Sequence, residues 1–153
     1  MTGMLSKFIV FALFTTFLSL GATTAPAAAD EAAIKYRQGV MKALGGHMGS
    51  VAAIVKGKVA HNGHLAGHAD AIAAIGKMTA DIFPKESAMG KTSALPAIWE
   101  KPDDFAKAVA MFEDASQKFA MAANGGDMGA IGAALGNLGT SCGGCHKPFR
   151  QKK

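Results

Sequence analysis

Near the end of a chain of 153 residues stands Cys142-Gly143-Gly144-Cys145-His146. Two thiols separated by two residues and followed at once by an imidazole form the C-x-x-C-H pattern of c-type haem attachment. The thiols make thioethers with the vinyl groups of haem, and the adjacent histidine takes an axial position on iron. On a helix the two cysteines lie on neighbouring faces, and the histidine follows where its ring can reach under the porphyrin. The same C-x-x-C spacing also serves a disulfide redox site, half of a zinc site or a structural disulfide. A thioredoxin-like pair stands near a βαβ pattern at the start of a helix, whereas this one lies late in a chain that reads as helical throughout, and zinc would need ligands from elsewhere. One covalent haem c is therefore the cofactor expected. The polypeptide without it should show a cavity beside Cys142, Cys145 and His146 that is the shape of the missing porphyrin, not a substrate pocket.

His61, His64 and His68 stand at steps of three and four and would share a helix face. A zinc or copper site could be built there, but no carboxylate or thiol completes a set, and the sequence does not fix the direction of Asp70. Solvated surface histidines are the expectation. His47 has no evident partner and receives no role.

Four helices must position these groups. From Glu31 to Lys56 there is no proline, and Ile34, Val40 or Met41, Leu44, Met48, Val51 or Ala52 and Val55 recur at steps of three and four, which marks an amphipathic helix. A second runs from about Asn62, its candidate N-cap, to Ile82, with Pro84 as the stop. Phe83 to Trp99 contains Pro84, Gly90 and Pro96 and reads as a long loop of the kind that covers something. The third helix begins at Pro102 with Asp103 and Asp104 at the positive end of its dipole, and carries Phe105, Val109, Phe112, Phe119 and Ala123. Asn124-Gly125-Gly126-Asp127 ends it and supplies the next cap. The fourth runs from about Met128 to near the C-terminus with Ile131, Leu135, Leu138, Cys142, Cys145 and Phe149 on one stripe. Nothing alternates with period two, so the fold class is all-α, an antiparallel four-helix bundle. Gly129, Gly132, Gly136, Gly139 and Gly143 share a face of the fourth helix, although a glycine costs up to about 1 kcal/mol in a helix interior. That face either admits a close backbone or flat cofactor or simply meets solvent.

The chain opens with Lys7 as its one early charge, runs apolar from Phe8 to Leu20, and reaches Ala27-Ala28-Ala29 before Asp30. A run of about 13 apolar residues is short for the roughly 20 of a membrane span, so residues 1–29 read as a secretory signal peptide with an A-x-A cleavage site. Residues 30–153 then form a single domain with no membrane attachment after cleavage. Of the 16 basic residues Lys7 leaves with the leader, so 15 stand against 11 acidic ones, without clusters until the tail Arg150-Gln151-Lys152-Lys153. That spread excludes a nucleic-acid footprint, though a mildly basic surface can steer an acidic redox partner.

Several features together resemble cytochrome c′, the four-helix class II c-type cytochromes. They are the C-terminal haem motif, Lys35-Tyr36-Arg37-Gln38-Gly39-Val40-Met41-Lys42 with the Gly-His-Met-Gly that follows, Phe83-Pro84 ending the second helix, Ala97-Ile98-Trp99 before the third, and Cys-x-x-Cys-His-x-x-x-Arg ending at Arg150. The resemblance covers essentially all of residues 30–153. It implies that Cys142 and Cys145 are the thioether pair and His146 the proximal iron ligand. It places Arg37 and Gln38 at the haem edge and propionates, where a forked cation suits a carboxylate. Arg150, one turn beyond His146, becomes the basic residue beside the proximal histidine, against the alternative of a frayed tail. Trp99 and Phe83 bracket the long loop and are expected to pack it onto the bundle near the haem edge; Lys91-Thr92, near a propionate on this alignment, is assigned no role.

Met41, three residues after Gln38, falls where the family places a side chain over the open, distal face of iron. A bound sulfur would make the haem six-coordinate and low-spin, an electron carrier of raised potential; a sulfur that only packs leaves iron five-coordinate and high-spin. Both occur in the family, and the Tyr-Arg-Gln prefix favours the high-spin type; Met48, two turns on, is a remote second candidate. The resemblance thus implies a periplasmic monohaem cytochrome that binds nitric oxide or carbon monoxide, carries electrons, or does both, commonly as a homodimer through the first two helices. Its redox partner is unspecified. An enzyme is not expected, because the first helix offers Val40, Met41 and Leu44 to the pocket and no acid or base beside Met41.

Overall fold

The computed structural model describes residues 30–152; the signal peptide read from residues 1–29 lies outside them. Asp30 opens helix α1 (Glu31–Val55), its carboxylate accepting from the amide of Ala33 at 2.9 Å, which satisfies one of the donors that a helix start leaves orphaned. The helix buries Ile34, Leu44, Val51 and Ile54 and, against expectation for a charged residue, Arg37. Gly57, at φ 64°, turns the chain beyond its end.

The second helix is shorter at both ends than its periodicity predicts. Asn62 is not its cap but the first residue of a 3₁₀ turn, Asn62–His64, with no side-chain capping bond. Helix α2 (Leu65–Met78) follows, and Ala80–Ile82 forms a second 3₁₀ turn. The early end has a local cause. The buried Thr79 hydroxyl donates to the Ile75 carbonyl at 2.8 Å, while the Thr79 amide moves to Gly76 at 3.2 Å. A hydroxyl that bonds back one turn competes with the helical ladder and tightens it.

The loop predicted to reach Trp99 ends at Pro96. The amides of Trp99 and Glu100 bond to the Pro96 carbonyl at 2.9 and 3.1 Å, and this makes a one-turn helix, α3 (Ala97–Glu100). In α4 (Pro102–Gly125) Pro102 takes the first turn, and Phe105, Val109, Phe112, Phe119 and Ala123 are all buried, as their spacing requires. Gly126 ends it in the left-handed region at φ 77°, a conformation that glycine adopts without steric cost. Asp127 then caps α5 (Met128–Phe149), accepting from Ala130 at 2.6 Å.

The four long helices form the expected antiparallel bundle, in which α2 packs on α1 and α4, and α4 on α5. The main core centres on Val51, Ile72, Phe119, Ile131 and Leu138, each worth about 1.5–3 kcal/mol on burial. At the α2–α4 crossing a Cβ added at Gly76 would collide with the Ser116 hydroxyl, which would have to turn away and give up its bond to the Glu113 carbonyl. A second cluster, Ile98, Phe105, Val109 and Phe149, holds α3 and the end of α5 together. The glycine face of α5 has a plain outcome: beside Gly132, Gly136, Gly139 and Gly143 a Cβ would meet nothing within 4 Å. Gly132 and Gly136 are exposed, and Gly139 borders a cavity.

Candidate functional site

That cavity encloses about 850 Å³. Cys142, Cys145 and His146 from α5 line it together, with Met41, Leu44 and Met48 from α1, Thr92 to Ala94 from the loop, and Phe83, Ile98, Phe105 and Phe149 closing apolar walls. Val40, expected in the pocket, packs on the main core instead. It points one residue away from Met41, about 100° around the helix.

The two cysteines are free and half-buried. Burial pushes both thiols up from the ordinary range, with Cys142 adding to the effect on Cys145. A disulfide-exchange pair has the opposite character, with a thiolate favoured at a helix N-terminus; these thiols sit in the last turns of α5. Among the described residues no group of three or more His, Cys, Asp or Glu side chains converges as a metal set, so the zinc reading lacks its remaining ligands. Burial, and secondarily the Arg150 charge, hold His146 below the usual histidine range and so favour the neutral imidazole that ligates a metal.

Arg37 is 3 % exposed. Its Nη1 donates to the Ile82 carbonyl at 3.3 Å and to the Ser87 hydroxyl. Its Nη2 donates to the Ser87 carbonyl at 3.1 Å and to Thr92 Oγ1 at 3.0 Å. The guanidinium also lies 4.9 Å from the Phe83 ring centre and 6.0 Å from that of Trp99. Every one of these partners is neutral, and burial lowers the Arg37 pKa. A buried guanidinium stays charged, so this cation borders the cavity with its charge uncompensated by any carboxylate among the described residues.

Gln38 donates to the Lys91 carbonyl at 2.9 Å, so the Arg37-Gln38 pair fastens the loop to α1 as well as bordering the cavity. Trp99 donates its indole N–H to the Phe83 carbonyl at 3.1 Å, packing the loop as expected.

Arg150 is not a frayed tail. It bridges antiparallel to Ala94, through Leu95 to Phe149 at 3.0 Å and Gln151 to Ser93 at 2.8 Å, and its side chain lines the cavity. Among the described residues, Arg37, Lys42 and Arg150 are thus the permanent charges on the lining, and none of the lining residues is acidic. Ser87 and Thr92 anchor Arg37; Ser87 carried no sequence signal, since single hydroxyl residues in loops are ordinary, and Thr92 was named only beside a propionate, with no role assigned. The histidines divide differently from their spacing: His61 stacks on His64 with ring centres 5.1 Å apart, whereas His68 pairs with His47.

The residues present fit a covalently held haem: two thiols and an imidazole on one helix end, apolar walls for a flat macrocycle, and unpaired cations for its propionates. Comparison with known proteins decides the family. The family described as Cytochrome C′ matches residues 32–150. The chain belongs to the cytochrome c′ family.

Cytochrome c′ of Pararhodospirillum photometricum is 42% identical over 125 residues, spanning 81% of this chain and all of that protein. The crystal structure of cytochrome c′ from Rubrivivax gelatinosus superposes with a TM-score of 0.73 at 32% identity, covering 78% of this chain and 94% of that one. A nitric oxide complex of a cytochrome c prime variant from Alcaligenes xylosoxidans gives 0.75 at 28% identity, covering 84% of this chain and 100% of that one. Cytochrome c′ is itself a standard instance of the four-helix bundle. As a member, the chain is a haem c protein whose cofactor is bound through cysteines.

Proposed function

We propose that Cys142 and Cys145 carry the two thioethers, His146 is the axial ligand, and Met41 is a wall of the distal pocket, so that the protein binds nitric oxide or carbon monoxide and exchanges single electrons. The observation that carries this reading is the convergence of all three motif residues on one cavity whose α1 wall is Met41, Leu44 and Met48. Haem, when bound, supplies an iron that changes oxidation state and takes small diatomic ligands. The chain does the rest. Apolar side chains exclude water and give bound oxygen no hydrogen bond from Met41 or Leu44, while Arg37 and Arg150 bring positive charge to the propionates and to the His146 side respectively. Among the described residues no acidic side chain borders the cavity, so peroxidase-type proton transfer would find no carboxylate there.

Residues 1–29 are the signal peptide and residues 30–153 the mature bundle in this reading, which places the protein in the periplasm. Among the described residues no helix is long and apolar enough to cross a membrane. A homodimer through α1 and α2 follows the family pattern. The chemistry is tested by titrating the reduced holoprotein with carbon monoxide and by staining a denaturing gel for haem. One carbon monoxide per chain is expected, with haem retained on the denatured wild type and lost from the Cys142→Ala/Cys145→Ala double variant. Haem that survives this double substitution would place the attachment elsewhere.

A further inference from the structure

His47 and His68 take no part in the haem site. His47 lies at mid-length in α1 and His68 in the first turn of α2, both half-buried. Their rings meet across the helix seam with the Nδ1 atoms 2.9 Å apart, ring centres 5.2 Å apart and planes inclined by 61°. As a hydrogen bond this contact needs opposite tautomers, one ring donating and the other accepting.

The same separation suits two donors on one metal ion. With metal–nitrogen bonds of about 2.05 Å, two donors at right angles stand about 2.9 Å apart and two tetrahedral donors about 3.3 Å. We propose that His47 and His68 form a two-imidazole site for a first-row divalent cation that favours tetragonal nitrogen ligation, copper(II) foremost. Copper(II) binds nitrogen donors most strongly in the divalent series and takes this geometry, whereas zinc favours the wider tetrahedral angle.

Rigid stems support the assignment. Leu44 and Val51 are buried on either side of His47, and Leu65, Ala69 and Ile72 around His68, so both backbones are fixed before any ion arrives. The ring torsion itself is soft, and turning the two lone pairs to a common point gives up one N–H···N bond. His64 is exposed and precedes His68 by four residues, the spacing that sets two imidazoles on one helix face. It lies in the 3₁₀ turn before α2, however, stacked on His61, and among the described residues no third His, Cys, Asp or Glu converges on the pair, so it stays outside the set. Asp70 is engaged by Asn124 at 2.9 Å and does not join the set; water completes it.

The test is titration of the purified holoprotein, at its own oligomeric state, with copper(II) alone, followed by electron paramagnetic resonance. In the holoprotein the cysteines are thioethers, so they do not compete as thiolates. The expected result is one copper per chain with splitting from at least two imidazole nitrogens. His47→Gln and His68→Gln should each weaken binding by at least about tenfold, and His61→Gln should leave it unchanged. The circular dichroism and haem spectrum of each variant establish that it has folded, and the nitrogen splitting of the unsubstituted protein is informative without any variant. No uptake at micromolar copper, a signal without imidazole splitting, or uptake indifferent to both His47→Gln and His68→Gln would overturn the proposal.

Discussion

Arg37 is where sequence and structure differ most in what they say about one residue. The resemblance assigns it to a haem edge, yet its guanidinium is buried and gives four hydrogen bonds to Ile82, Ser87 and Thr92. Both roles are compatible, because neutral acceptors fix the position of the cation without cancelling its charge. Removing it leaves buried acceptors without donors, a loss that exceeds the net worth of the bonds themselves. Arg37→Gln is therefore expected to destabilise the holoprotein by about 3 kcal/mol in urea unfolding, and Ser87→Ala by about 1 kcal/mol. An unchanged midpoint in Arg37→Gln would mean that the loop is held by something else. The contact could not be read from the sequence, since nothing in a lone loop serine marks it as the partner of an arginine fifty residues earlier.

Among the elements, the helices were legible wherever a local rule and the apolar spacing agreed. Pro102 with two aspartates, the break at Asn124-Gly125-Gly126-Asp127 and the Asp127 cap all stand as predicted. The ends of α2 were illegible because a threonine hydroxyl and a 3₁₀ turn decide them, and neither alters the apolar period. The C-x-x-C-H motif was legible because its three chemical residues fall within five consecutive positions. The rest of the cavity wall comes from α1, the loop, α3 and α4, whose approach depends on tertiary packing. Glycines offer a test at this scale. Gly76→Ala is expected to cost about 1–3 kcal/mol, because its Cβ meets Ser116 at the α2–α4 crossing and overpacking forces a shift. Gly136→Ala, exposed and with open space around it, should gain up to about 1 kcal/mol. Urea midpoints of the two variants should therefore move in opposite directions, and a gain at Gly76 would contradict the close crossing.

In the whole molecule, α4 holds α2 and α5 while α1 and α5 both border the haem cavity, so the bundle keeps a slot along one side of its core. A homodimer through α1 and α2 should sediment at twice the mass of the mature chain, and monomer at micromolar concentration would remove that expectation. The account rests on Met41 being a wall of that slot and not a ligand. Optical and electron paramagnetic resonance spectra of the purified protein, oxidised and reduced, before and after nitric oxide, test this most directly. A high-spin, five-coordinate spectrum that changes promptly on adding nitric oxide is predicted. A low-spin spectrum of methionine–histidine ligation that takes up nitric oxide slowly or not at all would make Met41 the sixth ligand and contradict it.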